Sequence, residues 1–175
     1  MATRKQARQK SLLQILALLI AVVILLVGGV LLQNWWNNRP GPQPQDVTIG
    51  ASVGDTSLEI SPYLVCEPGV ECPEGEVPNL TVGPEDTLVL EIPEEIYDHD
   101  WQVLMIYDDP AANDQQLHGA NDAERVEIPG STEPTGENSD RPRLMVVEVS
   151  SVMLGYNEAG EETPYTTVWS LSTMS

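Results

Sequence analysis

Few residues in this 175-residue chain are suited to chemistry: Cys66 and Cys72, His99 and His118, and several clusters of carboxylates. The two cysteines are the only ones and lie together in "SPYLVCEPGVECPEGE". Their spacing offers three chemistries, namely a metal site, a redox dithiol, or a disulfide that clasps a loop. A redox pair more often shows C-x-x-C, and zinc needs further Cys or His ligands. Neither histidine stands at a recognisable ligand spacing from the cysteines.

His99 sits between Asp98 and Asp100 in "YDHDW". A histidine beside a carboxylate can serve as a general base, but successive side chains of an extended segment point apart, so an exposed turn histidine is expected. "DDPAAND" supplies Asp108, Asp109, Asn113 and Asp114, oxygen ligands of the kind calcium takes. It lacks the ligand order and terminal glutamate of an EF-hand loop, and an acidic turn is the expectation. Met105, Met145 and Met153 carry thioethers with affinity for Cu(I), yet all three fall in strand-like runs and read as core filling or sheet face. The chain holds no G-x-S-x-G, no H-E-x-x-H and no phosphate-binding glycine loop. The expectation is a protein that is not an enzyme, with no catalytic residue, no metal ligand and no cofactor.

What the cysteines do depends on their compartment, which the N-terminus indicates. "MATRKQARQK" carries Arg4, Lys5, Arg8 and Lys10, and the run Leu12 to Leu32 that follows has Gln14 as its only polar side chain. Such a run, helical at about 1.5 Å per residue, reaches about 30 Å, the thickness of a bilayer's hydrocarbon core. It is apolar on every side, unlike a core helix with a polar face. Basic residues on one flank, with Trp35 and Trp36 as an interfacial belt on the other, place the N-terminus in the cytoplasm and the rest outside it. The run exceeds the usual 7–15 residues (roughly) of a signal peptide and no A-x-A-like site follows, so an uncleaved signal anchor at the plasma membrane is expected. Ala17, Ala21 and Gly28 share one face of the span, where small residues let a neighbouring helix approach closely.

Outside the membrane two cysteines pair by default, and Pro68 and Gly69 between them let the loop turn back, so a structural disulfide is favoured over a metal or redox role. From Arg39 onward there are four basic residues, Arg39, Arg125, Arg141 and Arg143, against all 27 acidic ones, a net charge of −23. That balance favours solubility and argues against nucleic acid or anionic lipid head groups as partners.

The organisation follows: a basic cytoplasmic tail over 1–11, a transmembrane helix with its outer tryptophan belt over 12–36, a proline-rich extended linker over 37–46, and an acidic extracytoplasmic domain over 47–175. In that domain "TSLEISPYLV", "NLTVGPEDTLVLEIP", "WQVLMIYDDP", "ERVEIPG", "RLMVVEVSSVML" and "YTTVWSLSTM" alternate like strands between Gly, Pro, Asn and Asp clusters. About seven or eight strands without a long helix predict an Ig-like β-sandwich, a mostly β fold with one local disulfide. "PEEIYDHD" predicts one helical turn, "DPAANDQQLHGANDAE" a short helix or long loop, and residues 129–142 an exposed loop. Trp101 opens an apolar strand and is expected in the core.

"ISPYLVCEPGVEC" followed by "LTVGPEDTLVLEIPEEIYDHDWQVLMIY" resembles an uncharacterised actinobacterial family of exported proteins with a basic tail, one span and a cysteine pair. The resemblance implies an envelope location and no assigned activity. In size and topology the chain is also similar to the small accessory subunits of the actinobacterial cytochrome bcc–oxidase supercomplex, a likeness of architecture alone. The expected function is therefore a non-catalytic accessory subunit, held beside a larger integral-membrane complex by its span and reaching over it with the acidic sandwich. The alternative is a free-standing envelope binding module for a lipid, glycan or peptide.

Overall fold

The computed structural model describes residues 4–37, 42–134 and 140–174, and it divides the chain into two compact units, Met1–Gly41 and Pro42–Ser175. The first contains a single helix, α1 (Arg4–Asn37). Its stretch Leu16–Trp35 is long and apolar enough to cross a membrane, and its described side chains are all exposed.

The second unit is built from β1 (Ile49–Val53), β2 (Thr56–Ile60), β3 (Leu64–Cys66), β4 (Thr87–Glu91), a helical turn α2 (Glu94–Tyr97), β5 (Trp101–Tyr107), β6 (Asp114–His118), β7 (Arg125–Pro129), β8 (Leu144–Tyr156) and β9 (Glu162–Ser172). Among the described residues these strands form two antiparallel sheets, one ordered β2-β1-β4-β7 and the other β3-β9-β8-β5-β6. A single cluster of buried side chains lies between them, drawing Ile49, Leu88, Leu90 and Ile128 from the first and Trp101, Val103, Val147, Val149, Trp169 and Leu171 from the second. Alternation explains this directly: along β5, Trp101, Val103, Met105 and Tyr107 all point inward and the residues between them outward. The indole of Trp169, 1 % exposed, donates to the carbonyl of Val47 at 2.8 Å and so ties the segment before β1 to the core.

Three features differ from the sequence reading. Within "DPAANDQQLHGANDAE", Pro110–Ala112 is a short 3-10 helix, but Asp114–His118 forms β6, a strand the sequence did not indicate. It has no apolar alternation because, at the edge of its sheet, only the pairing with β5 holds it there. Leu80 and Val82 are buried as expected, but their segment makes an isolated bridge, Asn79 to Ser172, in place of a strand. Within the expected extended linker, Pro44–Asp46 forms a 3-10 turn, with Pro44 buried and Gln43 Oε1 accepting from the amide of Tyr156 at 3.0 Å. Gly155 makes room for it, since a Cβ there would lie 2.7 Å from Pro44 Cδ. The linker's end is therefore part of the β unit. Residues 38–41, and 135–139 within the expected loop, lie outside the described residues.

Candidate functional site

The outward faces of the two sheets differ in chemistry. In an antiparallel pair, residues directly opposite each other share a face. The four-stranded sheet turns Glu59, Glu91, Arg125 and Glu127 outward, the solvated face such a sheet is expected to have. The five-stranded sheet does not. One outward row runs Leu117, Gln102, Ser150, Val168 and Leu64 across all five strands. On one side of it lies the row Gln115, Leu104, Glu148 and Ser170, then Ile106, Val146 and Ser172. On the other lie Val152 with Thr166, then Leu154 with Pro164. Across these rows Glu148 is the one charged side chain, in a chain with 27 acidic residues. Leu117, Val152 and Leu154 are 78 %, 58 % and 64 % exposed.

Within this face lies an open groove of about 500 Å³, lined by Asp100, Gln102, Leu117, Gly119, Ser150 and Val152. Leu117 and Val152 are its exposed apolar residues. Gln102 donates to Ser150 Oγ at 2.8 Å and accepts from Gln115 Nε2, which holds these amides in place. At one end, Asp122 Oδ2 accepts from the amide of Gly119 at 2.8 Å. A Cβ on Gly119 would lie 3.0 Å from Asp122 Oδ2 and 3.9 Å from Asp100 Oδ1, so two carboxylates flank a residue with no side chain. Asp100 has no hydrogen bond or ion pair through its carboxylate among the described residues. Trp101 and His118 pair in the row that points inward and contribute to the groove's lining.

The residues singled out from sequence are placed as follows. Cys66 and Cys72 are joined, with Cα atoms 5.3 Å apart, at the end of β3. Ala17, Ala21 and Gly28 are exposed along α1, and nothing lies within 4 Å of the Cβ position of Gly28. Trp35 is 59 % exposed, and the side chain of Trp36 lies outside the described residues. His99 is in a bend and not an extended segment, so its Nδ1 does reach the carboxylate of Asp98. Three of the oxygens of "DDPAAND" are taken by backbone amides: Asp108 accepts from Arg143, Asp109 from Ala111 and Asn113 from Tyr107. Among the described residues no three His, Cys, Asp or Glu side chains gather as a metal site. Met105 and Met153 are buried in the core.

The outward face was not singled out from sequence. In "RLMVVEVSSVML" both alternating sets contain apolar residues, so periodicity does not tell which set is inward. Leu117 is a lone aliphatic in a polar run.

Residues 42–174 match the model of a protein family described as protein of unknown function, DUF2771. No curated protein and no solved structure matches the chain.

Proposed function

This chain belongs to the DUF2771 family, and we propose that it is a non-catalytic, membrane-anchored docking subunit. The helix α1 holds it in the plasma membrane with the basic tail in the cytoplasm. The β unit stands outside, where its disulfide is stable, and contacts a larger integral-membrane complex. The observation that carries this reading is the largely apolar outer face of the five-stranded sheet, where Glu148 and, at the far end, Glu162 are the charged side chains of the paired rows, on a domain that is otherwise strongly acidic. Contiguous exposed apolar surface on a soluble domain marks an interaction site. The small-residue stripe Ala17, Ala21 and Gly28 adds a second contact within the bilayer. The likeness to accessory subunits of the actinobacterial cytochrome bcc–oxidase supercomplex makes a respiratory assembly the first complex to test.

The experiment is purification of the full chain in mild detergent, with mass spectrometry of what accompanies it. A defined membrane complex should co-purify with the native chain and be lost from Leu104→Glu and Val152→Glu variants, whose side chains face outward and leave the core intact. Retention of the complex by both variants would sink the reading. The groove favours a second reading, a free-standing envelope binding module for a lipid, glycan or peptide, and co-purification of no protein at all would support it.

A further inference from the structure

The edges of a β-sheet offer unpaired backbone groups, and proteins protect them with charge, proline, bulges, shortness or cover. Three of the four edge strands here are protected. β2 carries Glu59, and β7 carries Arg125 and Glu127 and ends at Pro129. β3 is three residues long and is flanked by a loop whose Gly75 amide donates to Tyr63 O at 2.7 Å. β6 differs. Its five residues pair with β5 in unbroken register, and no backbone hydrogen bond joins its other side to any described segment. Its one charge, Asp114, stands at its first residue, and from there it reads Gln115, Gln116, Leu117 and His118, with no charge in its middle, no proline and no bulge. Leu117, at 78 % the most exposed large apolar side chain of the β unit, projects from it on the outer face of the sheet.

We propose that β6 is a docking edge for an extended segment of a basic partner protein, which adds to the sheet as a further strand beside it. Period-two geometry specifies the segment's chemistry. Opposite Leu117 it carries an aliphatic side chain, at the cross-strand distance where such pairs stabilise. Two residues along, just past the end of β6, it lies opposite Gly119, whose Cβ position is 3.0 Å from Asp122 Oδ2 and 3.9 Å from Asp100 Oδ1, so two carboxylates stand beside it. A lysine or arginine there completes the pattern aliphatic-x-basic. A second copy of this chain is the poorer occupant, because each copy brings a net charge of −23 from Arg39 onward to the contact. Main-chain pairing supplies affinity in this mode of recognition, and the side chains supply selection. The inference deepens the docking reading and rests on it for the existence of a partner.

The test uses the full chain in nanodiscs of uncharged lipid and a fluorescently labelled peptide, threonine-valine-threonine-lysine-threonine-valine-threonine, followed by anisotropy. Saturable binding is expected, weakened about ten-fold or more by Leu117→Lys and by Asp100→Asn. Val70→Lys, an exposed change on the disulfide loop, should leave it unchanged. A peptide with glutamate for lysine should not bind, and one with prolines flanking the lysine, which keeps the charge and loses the strand, should not bind either. Absence of saturable binding overturns the inference, as does equal binding by the proline peptide or full binding to Leu117→Lys. If peptide binding fails while Leu104→Glu still releases a co-purifying complex, the edge is wrong and the docking reading stands. If the peptide binds as expected and no complex co-purifies, the docking reading falls and the edge remains.

Discussion

Trp101 stacks on His118 directly across β5 and β6, with ring centroids 4.2 Å apart and planes inclined by 17°. The pair packs β6 against β5 on the inward side, where the other residues of β6, Asp114 and Gln116, are polar. Neither Trp101 Nε1 nor His118 Nε2, both buried, has a hydrogen-bond partner among the described residues. Trp101 therefore acts through area and shape. Trp169 acts in addition through the bond its indole donates to Val47 O.

The two tryptophans should answer differently to the same substitution. Trp101→Phe keeps an aromatic face over His118 and removes an N–H that bonds nothing, so its cost is that of the lost ring volume in the core alone, on the order of 1–2 kcal/mol. Trp169→Phe also strands a buried carbonyl, which adds about 1–3 kcal/mol. Urea unfolding of the full chain in detergent, followed by far-ultraviolet circular dichroism, measures both. Equal losses would show that the bond to Val47 contributes nothing.

How much of this was legible follows from where alternation carries information. β5 was readable as a strand from its apolar run between Asp clusters, and Trp101 as core, whereas Leu104 and Ile106 in the other alternating set left its inward face to the structure. The clasp was readable because two cysteines near each other beyond an apolar span leave few options. β6 was not readable, since a strand held from one side by backbone pairing needs no apolar pattern. The candidate site was hidden for a related reason. Val152 and Leu154 look like core residues in "VVEVSSVML", and only the register of β8 against β5 and β9 shows that they face outward. The carboxylates at Gly119 come from separate segments, which the loop after β6 brings together.

The disulfide should stabilise locally. Cys66 and Cys72 are six residues apart, and closing so short a loop contributes roughly 2 kcal/mol through the unfolded chain. The cluster of buried residues does not include either cysteine, so the double variant Cys66→Ser, Cys72→Ser should still fold, with that loss in unfolding free energy. Protease cleavage should become faster within residues 67–76 while the strands of the core stay resistant. Alkylation without reduction should label neither cysteine in the native chain. Uptake of label at both would show that the clasp is not formed in the protein as made.

Stability should fall at alkaline pH through the tyrosines. Burial, and then the nearby carboxylate of Asp114, push Tyr107 above its usual 10.0. A group raised on folding stabilises the protein while it is protonated in both states. That contribution is present below pH about 10 and is lost as pH rises through the higher folded value. Tyr107→Phe should therefore flatten the decline in unfolding free energy above pH about 10. Some decline should remain, because Tyr63, through its hydrogen bond to Glu74, and Tyr97, through burial, are raised as well. Identical slopes for the native chain and the variant in urea melts across that range would exclude Tyr107 as a contributor.

The span separates an assembly surface from a plain tether. Ala21 and Gly28 are exposed along α1, with no atom within 4 Å of the Cβ position of Gly28, so a larger side chain meets nothing within the chain itself. Ala21→Leu and Gly28→Leu keep the segment apolar, and insertion should persist. The added side chains would hold a neighbouring helix away, and loss of close packing costs on the order of 1 kcal/mol at a tight contact. Leu19→Ala and Ile20→Ala, on other faces, should be tolerated. The measurement is the amount of complex retained with each variant in detergent, alongside a reporter fused after Ser175 that is active only outside the cytoplasm. An active reporter with the complex lost from the leucine variants alone identifies the stripe as a contact. Equal retention by all four variants would assign docking to the β unit, with α1 serving as an anchor, and an inactive reporter would reverse the proposed orientation.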